Sequence, residues 1–104
     1  MTNNERIRDI LLSHKGKRNA ITSQKIWMEV FGYDTGDSSR SKERALIKET
    51  IIQYKLPIAA NSCGYWLIDN ENEFNEYVRN LETRSLEILE RLEMIKKHWG
   101  QWGN

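Results

Sequence analysis

A chain of 104 residues, 38% hydrophobic and 30% charged, bounds one modest core with at most one appended element, and contains no apolar stretch of membrane-spanning length. The net charge of +1 is uneven: residues 1–69 hold 11 Lys and Arg against 8 Asp and Glu, residues 70–104 hold 5 against 7, so only the first part suits a polyanion. The polar start Met1-Thr2-Asn3-Asn4-Glu5 lacks a signal peptide's hydrophobic region and the single Cys63 excludes a disulfide framework, so a reducing cytoplasm is the expected location.

Thr2 followed by Glu5 fits a capping box, and Ile7, Ile10 and Leu11 then recur at helical spacing until Gly16 closes a first helix. Lys15 to Asn19 form a basic loop, and Ala20-Ile21 reads as a short strand able to pair with a later hairpin. Thr22 is placed as an N-cap, with Ile21 and Ile26 flanking it as a hydrophobic staple. The second helix is expected to bury Ile26, Trp27, Val30 and Phe31 and to end on Gly32 in a left-handed cap. A turn-rich loop, Tyr33 through Ser39, follows.

The third helix is expected from about Ser39 to Lys55. At 100° per residue Ile47, Ile51 and Tyr54 point inward, Ser41, Lys42, Ala45, Lys48 and Glu49 point outward, and Arg40 and Arg44 lie nearer the core edge. Pro57, without a donor, belongs at the start of an edge strand, and Asn61-Ser62-Cys63-Gly64 makes a corner in which Gly64 supplies a positive φ. Trp27 and Trp66 are expected in the core.

Asp69 or Asn70 then caps a long last helix whose early Glu71, Glu73 and Glu76 suit the positive end of its dipole. Its inner positions, Phe74, Val78, Leu81, Ser85, Ile88, Leu92, Ile95 and Trp99, alternate gaps of four and three in an unbroken heptad pattern. Such a helix outruns a small core, and its outer half needs a partner, most simply the same helix of a second copy. Ser85, Ile88, Leu92, Ile95 and Trp99 are the expected dimer interface. Glu82, Glu87, Glu90 and Glu93 are placed to pair with Arg79, Arg84, Arg91, Lys96 and Lys97 along its sides.

A polar, basic helix running directly into a tight hairpin is how a winged helix-turn-helix presents its reading helix and wing. The expected fold is therefore mainly α with a small β-hairpin wing: a winged-helix domain over residues 1–69 and a long coiled-coil-like helix with a Trp-containing tail over 70–104. From Ile47 onward the chain resembles the small winged-helix proteins widely encoded by bacteriophages and integrated elements. The resemblance spans about residues 20–95 and is carried by Leu56-Pro57-Ile58, Gly64-Tyr65-Trp66-Leu67, the acidic cap Asn70-Glu71-Asn72-Glu73-Phe74 leading to Tyr77, and upstream Ile21-Thr22-Ser23-Gln24-Lys25-Ile26. Lys55 departs from it, standing near where many relatives place a glycine, and so does the length of the loop before the third helix.

Helix-turn-helix docking sets the N-terminal residues of the reading helix against base edges while their neighbours hold phosphates. Arg40, Ser41, Lys42 and Arg44 are then candidate base-edge or phosphate contacts on double-stranded DNA, Lys48 a backbone contact, and Asn61 and Ser62 at the wing tip contacts to a flanking groove. Lys15, Lys17 and Arg18 are placed to hold a phosphate where the first loop faces the same side. The competing reading is a module that binds a host replication, transcription or defence protein, favoured by the near-neutral charge and by Glu49 on the outward face. His14 and His98 each lack a second ligand at metal spacing, and His14 is expected to assist the last carbonyls of the first helix. Neither a nucleophile–base pair nor a phosphate-cradling glycine loop is visible, so no enzyme, metal or cofactor is expected.

Overall fold

The computed structural model describes residues 1–33 and 41–102, with side chains through residue 100. The elements run α1 (Asn3–Ser13), a 3-10 turn (Lys17–Asn19), α2 (Ser23–Phe31), α3 (Ser41–Tyr54), β1 (Ile58–Asn61), β2 (Gly64–Leu67) and α4 (Glu71–Trp102). The chain is mainly helical, with one two-stranded antiparallel hairpin. Among the described residues, no helix is long and apolar enough to cross a membrane.

α1 and α2 are each fixed at the start by the residue chemistry expected there. Thr2 Oγ1 accepts from the Glu5 backbone N–H at 3.1 Å, and Glu5 Oε1 accepts from the Thr2 N–H at 3.3 Å, completing the capping box. Those hydrogen bonds, the Thr2 backbone one foremost, hold the Glu5 carboxyl below the usual carboxylate range. Thr22 Oγ1 caps α2 through the Lys25 N–H at 3.2 Å, and Gly32 ends it at φ +78.

Gly16 does not close α1. The helix stops at Ser13 because the next residues pair with β2: Leu67 N–H donates to the His14 carbonyl and Gly16 N–H to the Leu67 carbonyl, both at 2.8 Å. Gly16, at φ +87, instead turns the chain into the 3-10 turn. His14 Nδ1 lies 2.8 Å from the Asn19 carbonyl, so its ring braces this turn rather than the end of α1.

The core gathers one face from each of these helices: Ile7 and Leu11 from α1, Ile26 and Val30 from α2, Ile47 from α3, and Ile21 from the connection between the first two. Ala59 and Trp66 are buried from the hairpin, while Trp27 is half-buried with its ring 4.2 Å from that of Phe31. Burying each large aliphatic side chain contributes roughly 1.5–3 kcal/mol.

In the hairpin, Ile58 pairs with Leu67, Ala59 with Trp66, Ala60 with Tyr65 and Asn61 with Gly64. On the other edge of β2, Ile21 and Tyr65 exchange both backbone hydrogen bonds at 2.8 Å, so the short strand expected at Ala20-Ile21 pairs at Ile21. Gly64 is buried at φ +124, and a Cβ there would overlap the Ile21 carbonyl.

α3 ends in a Schellman motif: Leu56 N–H donates to the Ile51 carbonyl at 3.1 Å and Lys55 N–H to the Ile52 carbonyl at 3.3 Å. Lys55 occupies the left-handed position, at φ +52, the only non-glycine residue with positive φ among those described.

Asn70 rather than Asp69 caps α4, its Oδ1 accepting from the Glu73 N–H at 2.9 Å. The Glu73 carboxylate in turn accepts from the Asp69 N–H and from the Lys17 N–H, each at 3.1 Å. These bonds tie the first turn of α4 to the preceding residues, and the first compact unit runs Met1–Glu73, four residues beyond the boundary drawn from composition. The second unit, Phe74–Asn104, carries the rest of α4, a helix of 32 residues and so about 48 Å long. No residue from Phe74 to Gly100 is buried.

The ion-pair ladder expected along α4 is not formed. Ion pairs form instead in the first unit, Arg8–Asp9 at 3.0 Å and Lys15–Asp69 at 3.4 Å among them. Exposed pairs return only about 0–1 kcal/mol, too little to hold long side chains in one geometry.

Candidate nucleic-acid interface

α3 presents two chemically distinct faces. Inward it buries Ile47, Thr50 and Glu43; Ile51 and Tyr54, also expected inward, are half-buried. Thr50 Oγ1 satisfies itself on the Leu46 carbonyl at 2.9 Å. Glu43 is 0% exposed, and its place in the first turn of α3 sets a carboxylate at the helix's positive end.

Outward, Ser41, Lys42, Arg44, Ala45, Lys48, Glu49, Ile52 and Gln53 are all exposed. Arg44 is exposed at the edge of this face. The charge of Arg44 opposes the effect of burial on the Tyr65 hydroxyl, which burial pushes above its ordinary value, so this part of α3 lies within electrostatic reach of β2. Ala45, Lys48, Glu49, Ile52 and Gln53 line a shallow open hollow farther along. Ile52 is 65% exposed, an apolar side chain on a polar face that periodicity did not single out. Arg40 lies outside the described residues.

α1 braces the helix along one flank. Asn4 Nδ2 donates to Gln53 Oε1 at 3.0 Å, and the Arg8 guanidinium sits 4.9 Å from the centre of the Tyr54 ring. Three elements therefore fix the angle of α3: the core, the α1 contacts and the Schellman turn into β1.

At the hairpin tip, Asn61 Oδ1 accepts from the Cys63 N–H at 2.7 Å, which leaves the carboxamide nitrogen of Asn61 and the exposed Ser62 as donors. The basic loop is differently committed. Lys15 pairs with Asp69, and the Lys17 backbone N–H meets the Glu73 carboxylate, so two of the three residues expected to hold a phosphate stand beside acidic groups. Arg18 is exposed. The outer face of α3 is the better-formed of the two basic surfaces.

The expected dimer residues Ser85, Ile88, Leu92, Ile95 and Trp99 are all exposed along α4, Trp99 by 73%. Ser85 Oγ donates to the Leu81 carbonyl of its own helix at 3.0 Å. No protein-family model, no curated protein and no solved structure matches the chain.

Proposed function

We propose that this chain is a duplex-DNA-binding regulatory or accessory protein of a phage or mobile element, a winged helix-turn-helix that docks α3 in the major groove and works as a homodimer. The observation that carries the reading is the outer face of α3, where Ser41, Lys42, Arg44 and Lys48 stand exposed on a helix whose opposite face is locked in the core. Lys42 and Arg44 near its start meet base edges or phosphates, Lys48 meets the backbone, and the tip donors of Asn61 and Ser62 enter a flanking groove. Ala45 offers apolar contact to thymine methyl groups.

The test is fluorescence anisotropy with a labelled random-sequence duplex at about 50 and about 200 mM salt, where several phosphate contacts weaken binding at least ~10-fold at the higher salt. Lys42→Glu with Lys48→Glu should abolish that binding and leave thermal unfolding nearly unchanged, since both side chains are exposed. No binding by the unaltered chain at the lower salt overturns the reading.

The second reading, a module that binds and modulates a host replication, transcription or defence protein, draws on Glu49 and Ile52. A carboxylate and a bare isoleucine on the same outward face suit a protein surface better than a phosphate backbone.

A further inference from the structure

We propose that α4 pairs with α4 of a second copy as an antiparallel two-stranded coiled coil, with Ser85 facing Ile95, Ile88 facing Leu92 and Leu81 facing Trp99 of the second copy. The inference rests on the homodimer proposed above and is independent of DNA binding.

The size of the open surface requires an occupant. Phe74, Leu81, Ile88, Leu89, Leu92, Ile95 and Trp99 are each between 42% and 73% exposed, and they follow one stripe of the helix. Their combined area exceeds the ~300–600 Å² of the largest apolar patch on a typical monomer and approaches the ~800 Å² per partner of a standard specific interface. The heptad spacing of the stripe is the spacing that a second helix of the same kind fills, knob into hole.

Charge then selects the orientation. With Val78, Ser85, Leu92 and Trp99 at one seam position and Phe74, Leu81, Ile88 and Ile95 at the other, the flanking positions are Glu82, Leu89 and Lys96 on one side and Tyr77, Arg84, Arg91 and His98 on the other. In a parallel, in-register pair each flank meets the opposite flank of the second copy. Arg91 then meets Lys96, twice by symmetry, and no oppositely charged pair forms. In the antiparallel pair each flank meets its own kind, and Glu82 meets Lys96 twice, across a central Leu89–Leu89 contact. On the other flank Arg84 meets His98, and Arg91 approaches its own copy once. Two attractions and one repulsion replace two repulsions, and such flanking charges set helix orientation.

Volume selects the same way. A parallel pair stacks Ser85 on Ser85, leaving a gap in an apolar seam because each hydroxyl is already turned to its own Leu81 carbonyl, and crowds Trp99 against Trp99. The antiparallel pair sets small against large, Ser85 against Ile95, and brings each bulky Trp99 onto a leucine.

The test reads the sign of a charge change. The dimer dissociation constant is measured by sedimentation equilibrium for the unaltered chain, for Lys96→Glu, and for Lys96→Glu with Glu82→Lys. Antiparallel pairing requires Lys96→Glu to weaken the dimer severalfold and the added Glu82→Lys to restore it. Tightening by Lys96→Glu alone means that Arg91 has gained a partner, and overturns the orientation. A second measurement fixes the register. In a Cys63→Ser background, separately tagged Ser85→Cys and Ile95→Cys chains are mixed and oxidised. Disulfides joining the two kinds of chain support the pairing, and disulfides joining like chains overturn it. A monomeric mass for the unaltered chain at tens of micromolar overturns the dimer itself while leaving DNA binding to its own titration.

Discussion

Met1–Glu73 and Phe74–Asn104 are comparably rich in apolar side chains, yet the first buries eight of them and the second, through Gly100, buries none. The first unit brings three helical stripes and a hairpin together, so Ile7, Leu11, Ile26 and Ile47 cover one another. The second unit is a single helix, and a helix has no second face of its own to fold against. On the pairing proposed above, a second copy covers its apolar stripe. The first unit should therefore owe its stability to its own packing, and the second to association.

The largest expected effect tests that division directly. Ile47→Ala removes a side chain at the centre of the core and should cost about 2–5 kcal/mol of unfolding free energy, the same at every protein concentration. Ile88→Ala, at an exposed position on α4, should leave the unfolding of Met1–Glu73 unchanged. On the proposed pairing it should instead reduce the rise in melting temperature that accompanies a tenfold increase in concentration. Circular dichroism melts of both variants at two concentrations check this; a concentration-dependent loss for Ile47→Ala alone would break the comparison.

Gly64 sharpens it from the backbone side. Alanine there needs both an unfavourable φ near +124 and space already held by the Ile21 carbonyl, which Ile21 uses to bond Tyr65. The expected loss is about 3 kcal/mol by urea unfolding, combining backbone strain with displacement of that bridge. Gly32→Ala is the control: its φ is also positive, but a Cβ there meets nothing within 4 Å. Its cost should stay near ~1 kcal/mol, the left-handed penalty alone.

What could be read from residue order divides by whether the cause is local. The Thr2–Glu5 capping box, the Thr22 cap with its Ile21–Ile26 staple, the left-handed Gly32 and the heptad run of α4 each depend on residues within a turn or two, and each stands where it was expected. Glu43 was not legible, because a carboxylate at an inward spacing announces itself as surface. Its burial, on the same face as Ile47 and Thr50, is a property of tertiary packing that residue order does not carry. Gly16 misled for a related reason: a glycine after a helix usually ends it, but here pairing with Leu67, some fifty residues on, had already done so. On the candidate site, Lys42 and Lys48 follow from helical angle alone. The engagement of Lys15 with Asp69 and of the Lys17 backbone with Glu73 required knowing that the start of α4 returns to the first loop.

The smallest effect concerns Lys55. Lys55 occupies a position that suits glycine: φ is +52 and the Schellman bonds from Leu56 and Lys55 close over it. A β-carbon in the left-handed region costs about 1–2 kcal/mol, part of which glycine gives back through the greater freedom of its unfolded chain. Lys55→Gly should therefore stabilise Met1–Glu73 by about 0.5–1 kcal/mol, read as a higher urea midpoint with an unchanged slope. The gain should be independent of protein concentration, because the residue acts on the cored unit. Lysine at this exposed position carries one further consequence under the DNA-binding reading, since it follows the reading helix directly. If Lys55→Gly both stabilises the fold and weakens duplex binding with a salt slope reduced by about 1, the side chain holds a phosphate. A stabilised variant that binds with an unaltered slope confines Lys55 to the turn.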